Sequence, residues 1–377
     1  MKIGKIKVNH YINYVVIGLF ALVMGVASIV GVRIDNSMLF LMEKVAISII
    51  LAVSLSLVVG FLGELSLGHA GFMCVGAYLG GKVAALLMPV LGNSILTFLV
   101  SLLAGCAAAA LCGVIIGIPA LRLRGDYLAI VTLAFGEIVK SLFQNTSDAS
   151  FGGTLGLETP RFDRKYLFII AFVLVLVTLA VIQNFIRSKH GRAVTAVRDN
   201  EIAARATGIN VTKYKLLTFT LSATFAGMAG VLYSFSNYTV QSAKFGYNYS
   251  IEILVMVVLG GMGSINGSII AATLITWLNT WLPTKLTGDL AVLQNLLYAL
   301  ILIVIVIYNN APSLKWVRDK YSIGNLIEKL QKHDPSRIHD DKAKWDVVPT
   351  KISMDEILSI DMTPQNLSAD KEKGGKS

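Results

Sequence analysis

The sequence predicts an all-α polytopic membrane protein with about 10 transmembrane helices, some of them interrupted or re-entrant. Of its 377 residues, 55% are hydrophobic and only 15% are charged, whereas soluble globular chains carry roughly 25% charged residues. The depletion of charge is regional, because long apolar windows fill residues 1–312 and the chain turns polar from Ser313 onward. Each window can cover the roughly 20 residues that a bilayer core requires.

The apolar windows divide into a series of predicted spans. The first one has no small-residue cleavage site after it, so we interpret it as a retained span rather than a signal peptide. The run around Gly260 is divided into two short segments, because one bent helix there would put the basic C-terminal tail on the wrong side of the membrane. The predicted spans are 11–32, 39–60, 62–82, 94–118, 126–143, 166–186, 214–236, 250–263, 265–282 and 289–308.

The net charge of +10 would suit a nucleic-acid ligand, but its distribution indicates membrane orientation instead. Basic residues precede the first span, fill the central polar loop and follow the last span, as is typical of cytoplasmic segments. They are Lys2, Lys5, Lys7, Arg187, Lys189, Arg192, Arg198, Arg205, Lys213, Lys215, Lys315, Arg318 and Lys320. We therefore predict a bilayer and no nucleic acid as partner, with both termini on the cytoplasmic side.

The same distribution predicts three regions. Residues 1–10 are a cytoplasmic N-terminus, and residues 11–312 form the transmembrane domain, which includes a cytoplasmic central loop at 187–213. Residues 313–377 are a cytoplasmic tail, predicted to be partly disordered because it mixes charges with prolines and ends in a polar run.

Small residues recur at a spacing of four within the spans. In lipid, such residues let helix backbones approach one another closely, so the pattern predicts a tight helical bundle. The pairs are Gly76 with Gly80, Gly113 with Gly117, and Ala223 with Gly227.

Two segments are too rich in glycine to be plain spans. We call GFLGELSLGHAG (60–71) the first glycine break and GGMGSING (260–267) the second. Interrupted hydrophobic segments point to the binding region of a transporter, although tight turns between short helices are the alternative. Glu137 lies within a span, where a charge usually faces the bundle interior or water, and Glu252 near a span end is interpreted as solvated. The predicted pathway residues are Gly63, Glu64, Ser66, Gly68, His69, Glu137, Gly260, Gly261 and Gly263.

The motifs of an ATPase or another enzyme are missing from the sequence. The final GGKS (374–377) lacks the earlier glycine and the following helix of a phosphate-binding loop. The three cysteines are interpreted as small buried hydrophobic residues, because each lies in an apolar run with no ligand partner nearby. They are Cys74, Cys106 and Cys112. We predict a chain that is not an enzyme and that binds no metal or cofactor itself.

The central loop contains SKHGRAVTAVRDNEIAARATG (188–208), which is charged and rich in alanine. Its pattern predicts a helix from about Asn200 to Thr207, with Gly208 as a left-handed stop. Small alanines permit close contact with a partner, while the charges orient it. The alternative is a helix lying in the lipid interface, which the absence of Trp, Phe and Leu disfavours.

Five blocks of sequence together resemble the permeases of branched-chain amino acid ABC importers, a family that also includes urea and short-chain amide permeases. The resemblance runs from about Ser37 to Tyr308. Such importers have two paired permeases, and the blocks look like the "M" type rather than the "H" type. The blocks are GFLGELSLGHAGFMCVGAY (60–78), LRGDYLAIVTLAFGEIVKSLFQN (123–145), GGTLGL (152–157), GRAVTAVRDNEIAARATGIN (191–210) and SIEILVMVVLGGMGSINGS (250–268).

The resemblance implies a multi-pass subunit of the bacterial cytoplasmic membrane that imports leucine, isoleucine and valine by alternating access. It implies four kinds of partner: a sister permease, two cytoplasmic ABC ATPases that bind ATP and Mg²⁺, an extracytoplasmic solute-binding protein, and the bilayer. The central loop would couple to the ATPases, with a Glu-to-Gly spacing one residue longer than the common form. The coupling residues would be Arg192, Arg198, Asp199, Glu201, Ala203, Ala204 and Gly208.

Two alternatives stay open. The same machinery would serve urea, a short amide or another small solute, since hydropathy does not report the cargo. A stand-alone secondary transporter driven by ions would instead need a carboxylate pair or a relay within the membrane. Glu64, His69, Glu137 and Glu252 supply candidates for it, with no obvious pair.

Overall fold

The computed structural model describes residues 35–92, 94–123, 125–160, 162 and 164–285, together with the single positions 18, 300 and 303. The side chains of 149, 164, 165, 284 and 285 are outside this description. Most of the predicted spans 11–32 and 289–308, the predicted N-terminus and the predicted tail at 313–377 also lie outside the described residues.

The described residues form a bundle of α-helices with one short two-stranded ladder. The helices are α1 (Asn36–Ser56), α2 (His69–Leu91), α3 (Ile95–Ala120), α4 (Asp126–Gln144), α5 (Asp148–Phe151), α6 (Arg164–Arg187), α7 (Lys189–Asp199), α8 (Glu201–Ala206), α9 (Val211–Ser236), α10 (Tyr247–Gly260) and α11 (Ile265–Lys285). A π-helical turn, Leu57–Leu62, continues α1, and a 3₁₀ turn, Ser242–Phe245, precedes α10. Strands β1 (Leu157–Glu158) and β2 (Thr239–Val240) pair antiparallel, with Leu157 opposite Val240.

The all-α polytopic fold is confirmed. Each predicted span within the described residues coincides with a helix over most of its length, and five helical segments there are long and apolar enough to cross a membrane. They are Asn36–Leu62, His69–Leu91, Ile95–Ala120, Tyr166–Arg187 and Val211–Ser236. α10 is a shorter apolar helix.

The structure differs from the sequence prediction at the first glycine break and agrees with it at the second. The span predicted at 62–82 begins only at His69, because Gly63 adopts a left-handed φ of +79° and residues 63–68 are not helical. The run around Gly260 is two helices, α10 and α11, as predicted, and the glycines between them take positive φ.

The centre of the bundle is α1. In its apolar window 89% of the residues are buried, against 22% in α3, which therefore lies at the periphery of the described bundle. α1 packs against α6, α9, α10 and α11. Because nearly every face of α1 meets another helix, any polar residue on it has to find a partner inside the bundle.

The helices α2, α3 and α9 pack through glycine, as the spacing of small residues predicts. A Cβ atom at Gly76 would clash with the backbone of Gly227, and one at Gly113 would lie 2.8 Å from the Cβ atom of Ala223. A Cβ atom at Gly105 would clash with Val231. The three backbones approach this closely only because these positions carry no side chain, or almost none.

Candidate functional site

The central loop folds into two helices whose starts and stops are set by local chemistry. The Ser188 hydroxyl accepts hydrogen bonds from the backbone nitrogens of residues 190 and 191 and so caps α7. Asn200 Oδ1 accepts from Ala203 N at 3.0 Å and caps α8, as an Asn at this position is expected to do. α8 ends before Gly208, whose φ is +83°. The predicted helix with its glycine stop is therefore confirmed.

The predicted coupling residues divide between the buried and exposed faces of this loop. Ala204 is buried, while Ala203 and Gly208 are exposed. Arg192 Nη1 donates to the Arg187 carbonyl oxygen at 3.2 Å, at the end of α6. α8 thus packs on the bundle through Ala204 and presents Ile202, which is 78% exposed, together with Ala203 on its outer side.

Arg198 joins the central loop to the first glycine break. Its Nη1 donates to the Gly60 carbonyl oxygen at 3.1 Å, and its Nε and Nη2 donate to Asp199 Oδ1 at 3.0 and 2.9 Å. A Cβ atom at Gly63 would lie 2.6 Å from Arg198 Cγ. The Arg198 side chain therefore packs directly on the backbone of the first glycine break, where Gly63 has no side chain.

The two glycine breaks meet at the same place. A Cβ atom at Gly60 would clash with the backbone of Gly263, and one at Gly267 would clash with the Gly260 carbonyl. Gly261 and Gly263 have φ of +89° and +84°. The second break is thus a tight turn between α10 and α11, the alternative that the sequence left open for it, and this turn lies against the first break.

An ion-pair network centred on the buried Lys215 connects the first break, α8 and α9. Lys215 Nζ lies 2.5 Å from Glu64 Oε1 and 3.2 Å from Glu201 Oε2, and its side chain is only 5% exposed. Arg205 extends the network with a 2.8 Å contact to Glu201 Oε1. Glu64, predicted for the translocation pathway, is therefore joined through Lys215 to Glu201, which was predicted for coupling.

Sequence reasoning missed the role of Lys215, which it counted among the basic residues of the central loop that indicate membrane orientation. Lys215 is the fifth residue of α9 and is buried. The available signal was that Glu64 and Lys215 carry opposite charges and border apolar runs at the same predicted membrane face, where each would need a partner.

The remainder of the first break enters the bundle interior. A Cβ atom at Gly68 would lie 2.5 Å from the Thr132 carbonyl oxygen, and Leu67 N donates to Thr132 Oγ1 at 3.0 Å. His69 Nε2 lies 2.8 Å from Ser54 Oγ. Ser66 and His69 are both buried, each 2% exposed. The break is thus held by α4 on one side and by α1 on the other.

Glu137 is placed elsewhere, at the start of α10. Its Oε1 accepts from Tyr247 N at 2.7 Å, and its Oε2 lies 3.0 Å from Lys140 Nζ. A carboxylate at a helix N-terminus stabilises that helix. The structure therefore brings Glu64 to the central loop, His69 into the bundle and Glu137 to α10, and does not join the three.

Two ionisable residues of α1 also escaped the sequence analysis. Glu43 is fully buried and accepts a hydrogen bond from the Ser236 hydroxyl, and Lys44 lines a polar cavity of about 350 Å³. Glu252, interpreted from the sequence as solvated, lines the same cavity and accepts a hydrogen bond from Asn279. The available signal was the adjacent pair Glu43 and Lys44 within an apolar run, because such charges usually face the bundle interior or water.

Within the described part of the chain, no group of His, Cys, Asp or Glu residues is arranged to hold a metal ion. The three cysteines there are free thiols, and Cys74 is buried.

Residues 37–307 match a family described as "Branched-chain amino acid transport system / permease component". The chain belongs to this family. The permease is 40% identical over 260 residues to the high-affinity branched-chain amino acid transport system permease protein LivM of Salmonella typhimurium and to that of Escherichia coli. Each match covers 61% of the permease and 60% of the relative, so the permease spans about three-fifths of the length of these relatives.

A more distant similarity covers more of the relative. The permease is 26% identical over 299 residues to the ribose import permease protein RbsC of Escherichia coli, covering 73% of the permease and 86% of that protein. No solved structure matches the permease significantly.

Proposed function

We propose that this permease is the membrane-spanning subunit of an ATP-driven importer of branched-chain amino acids in the bacterial cytoplasmic membrane. Its termini and the central loop lie on the cytoplasmic side, and the chain itself hydrolyses no ATP. Its partners are a sister permease, two ABC ATPases and an extracytoplasmic solute-binding protein. Membership of the family and the 40% identity to proteins named for branched-chain amino acid transport support this assignment.

The observation that carries the mechanism is the bridge made by Lys215. Through its contacts to Glu201 and Glu64 it ties α8 to the first glycine break. A movement imposed on α8 by an ATPase would reach the break through this bridge and through the contact between Arg198 and Gly60. The break and the second turn lie together, so both would shift, which is a route from ATP binding to a change of access across the bundle.

The outer face of α8 supports docking of a protein partner. Ile202 is a large apolar residue at 78% exposure, with Arg205 nearby at 64% side-chain exposure. A single isoleucine among small and charged residues offers little apolar area to a lipid interface. It fits a shallow groove of a protein partner, where a central apolar contact is surrounded by charges.

The assignment is tested with the complete importer in proteoliposomes. Replacing Arg198 and Glu201 together by Ala is expected to abolish ATP-driven leucine uptake and co-purification of the ATPase, while the permease still inserts. The control replaces Arg122, an exposed residue in the turn after α3, and Asp126, the exposed first residue of α4. Undiminished leucine uptake by the Arg198/Glu201 double variant would refute the docking role.

The alternatives are outcomes of the same assay. ATP-driven uptake of ribose, urea or an amide that leucine does not inhibit would show that the same machinery carries another solute. The similarity to a ribose permease makes ribose the first solute to test. Uptake driven by an ion gradient through the permease alone would indicate a secondary transporter.

A further inference from the structure

A polar cavity lies in the bundle away from the central loop. It is lined by α1, the end of α9, the 3₁₀ turn, α10 and α11. Its volume of about 350 Å³ is within the range of small-molecule sites, roughly 300–1,000 Å³. None of its lining residues belongs to the glycine breaks or to the predicted coupling residues.

The cavity contains charges of both signs. Lys44, from α1, and Lys244, from the 3₁₀ turn, bring two ammonium groups, while Glu252 on α10 brings one carboxylate. Asn279 donates to Oε1 of Glu252 and so holds the carboxylate against α11. The Lys44 ammonium lies 4.5 Å above the ring centre of Phe40, which supports a cation at this depth.

The cavity also has an apolar wall, and a hydroxyl without a partner lies beside it. The buried Thr276 Oγ1 has no hydrogen-bond partner among the described residues. Ile47 and the fully buried Phe245 contribute apolar surface to the same cavity. The cavity thus offers apolar surface beside its charges.

We propose that this cavity binds the zwitterion of the transported amino acid, an inference that rests on the proposed function. Lys44 and Lys244 bind the α-carboxylate, Glu252 accepts hydrogen bonds from the α-ammonium, and Ile47 and Phe245 contact the branched side chain. Within the bundle, the attraction between these fixed charges and those of the zwitterion offsets the desolvation penalty of both. An uncharged sugar or urea would bring no formal charges to interact with Lys44, Lys244 and Glu252.

The proposal separates the cargo site from the predicted pathway residues. Glu64 forms an ion pair with Lys215, and His69 forms a hydrogen bond with Ser54. Neither side chain is therefore available to bind a charged group of a zwitterion. The glycine breaks then serve movement, and the cavity serves recognition.

The test is photolabelling of the complete, detergent-purified importer with the diazirine analogue of leucine, which keeps both charges. Mass spectrometry is expected to find the label on residues lining this cavity, with leucine as an efficient competitor. The α-keto acid of leucine, which lacks the ammonium group, should compete poorly. Glu252→Gln should lower labelling roughly ten- to hundredfold, the effect of losing one charge-assisted hydrogen bond.

Two further variants keep the result decisive. Glu158→Gln makes the same chemical change on an exposed strand residue outside the cavity and should label like the unmodified protein. Lys244→Met changes an exposed residue, so it tests the carboxylate contact even if Glu252→Gln fails to fold, and it should lower labelling to a similar extent.

Label confined to the glycine breaks, or unchanged in Glu252→Gln and Lys244→Met, would overturn the cavity assignment. Leucine uptake is measured on the same preparation. If leucine is taken up but the label lies outside the cavity, this site is refuted and the proposed function is not. If leucine is not taken up, the proposed function itself is refuted.

Discussion

Lys215 Nζ lies 2.5 Å from Glu64 Oε1, and this contact joins two residues that are 151 positions apart in the chain. The lysine side chain is 5% exposed and the glutamate side chain 13%. Glu201 Oε2, at 3.2 Å, completes the pairing from the central loop. A cation buried to this degree and shared by two carboxylates holds three segments together, and each segment depends on the others for its charge balance.

Lys215→Met is expected to destabilise the permease by about 3–5 kcal/mol, because it leaves the largely buried Glu64 carboxylate without its cation and Glu201 with only the exposed Arg205. Thermal unfolding of the detergent-purified protein measures the loss. Combining Lys215→Met with Glu64→Gln should recover part of the stability, since it removes one of the uncompensated charges. Lys213→Met, two residues away and exposed, is the control, and equal melting temperatures for Lys213→Met and Lys215→Met would contradict the bridge.

Gly63→Ala is expected to impair transport beyond its effect on stability. A side chain at this left-handed position costs about 1–2 kcal/mol, and its Cβ would also displace the Arg198 side chain. Gly125 has a positive φ as well, but a Cβ there meets nothing within 4 Å. Gly125→Ala should therefore lower the melting temperature while keeping uptake per folded molecule. Equal uptake by the Gly63 and Gly125 variants would show that the contact to Arg198 is not needed for transport.

Gly76→Ala should be strongly destabilising, because its Cβ would meet the backbone of Gly227, which has no side chain to move aside. Overpacking of this kind costs about 1–3 kcal/mol. Gly136→Ala is the matched change in another helix, where the nearest atoms to the added Cβ are 3.9 Å away. There the higher helix propensity of alanine should stabilise by about 0.5–1 kcal/mol. The two melting temperatures should move in opposite directions, and a shared direction would argue against the packing of α2 on α9.

The side of the membrane on which the central loop lies is tested by labelling single cysteines. In a variant without the three native cysteines, Ala203→Cys on α8 and Thr154→Cys before β1 both place a thiol at an exposed position. A membrane-impermeant maleimide should label Thr154→Cys in intact spheroplasts and Ala203→Cys only after permeabilisation. Labelling of Ala203→Cys in intact spheroplasts would reverse the orientation and remove the ATPases from the mechanism.

Much of the fold follows from local properties of the chain. Apolar windows of sufficient length predict membrane helices whatever lies around them, and glycine clusters predict where those helices stop, as Gly63 and Gly261 do. Asn200 and Gly208 likewise mark the ends of α8 through caps made within a few residues. Each of these effects depends on neighbours along the chain, so sequence alone determined them.

Only the tertiary structure decided which of these segments meet. The pairing of Glu64 with Lys215, the contact of Gly60 with Gly263 and the gathering of Lys44, Lys244 and Glu252 around one cavity all join distant parts of the chain. The hydropathy pattern indicates that a charge in an apolar run needs a partner, but it does not indicate which helix face supplies that partner. That choice is made by the packing of the helices, where glycines set how closely two backbones approach and hence which side chains come within reach.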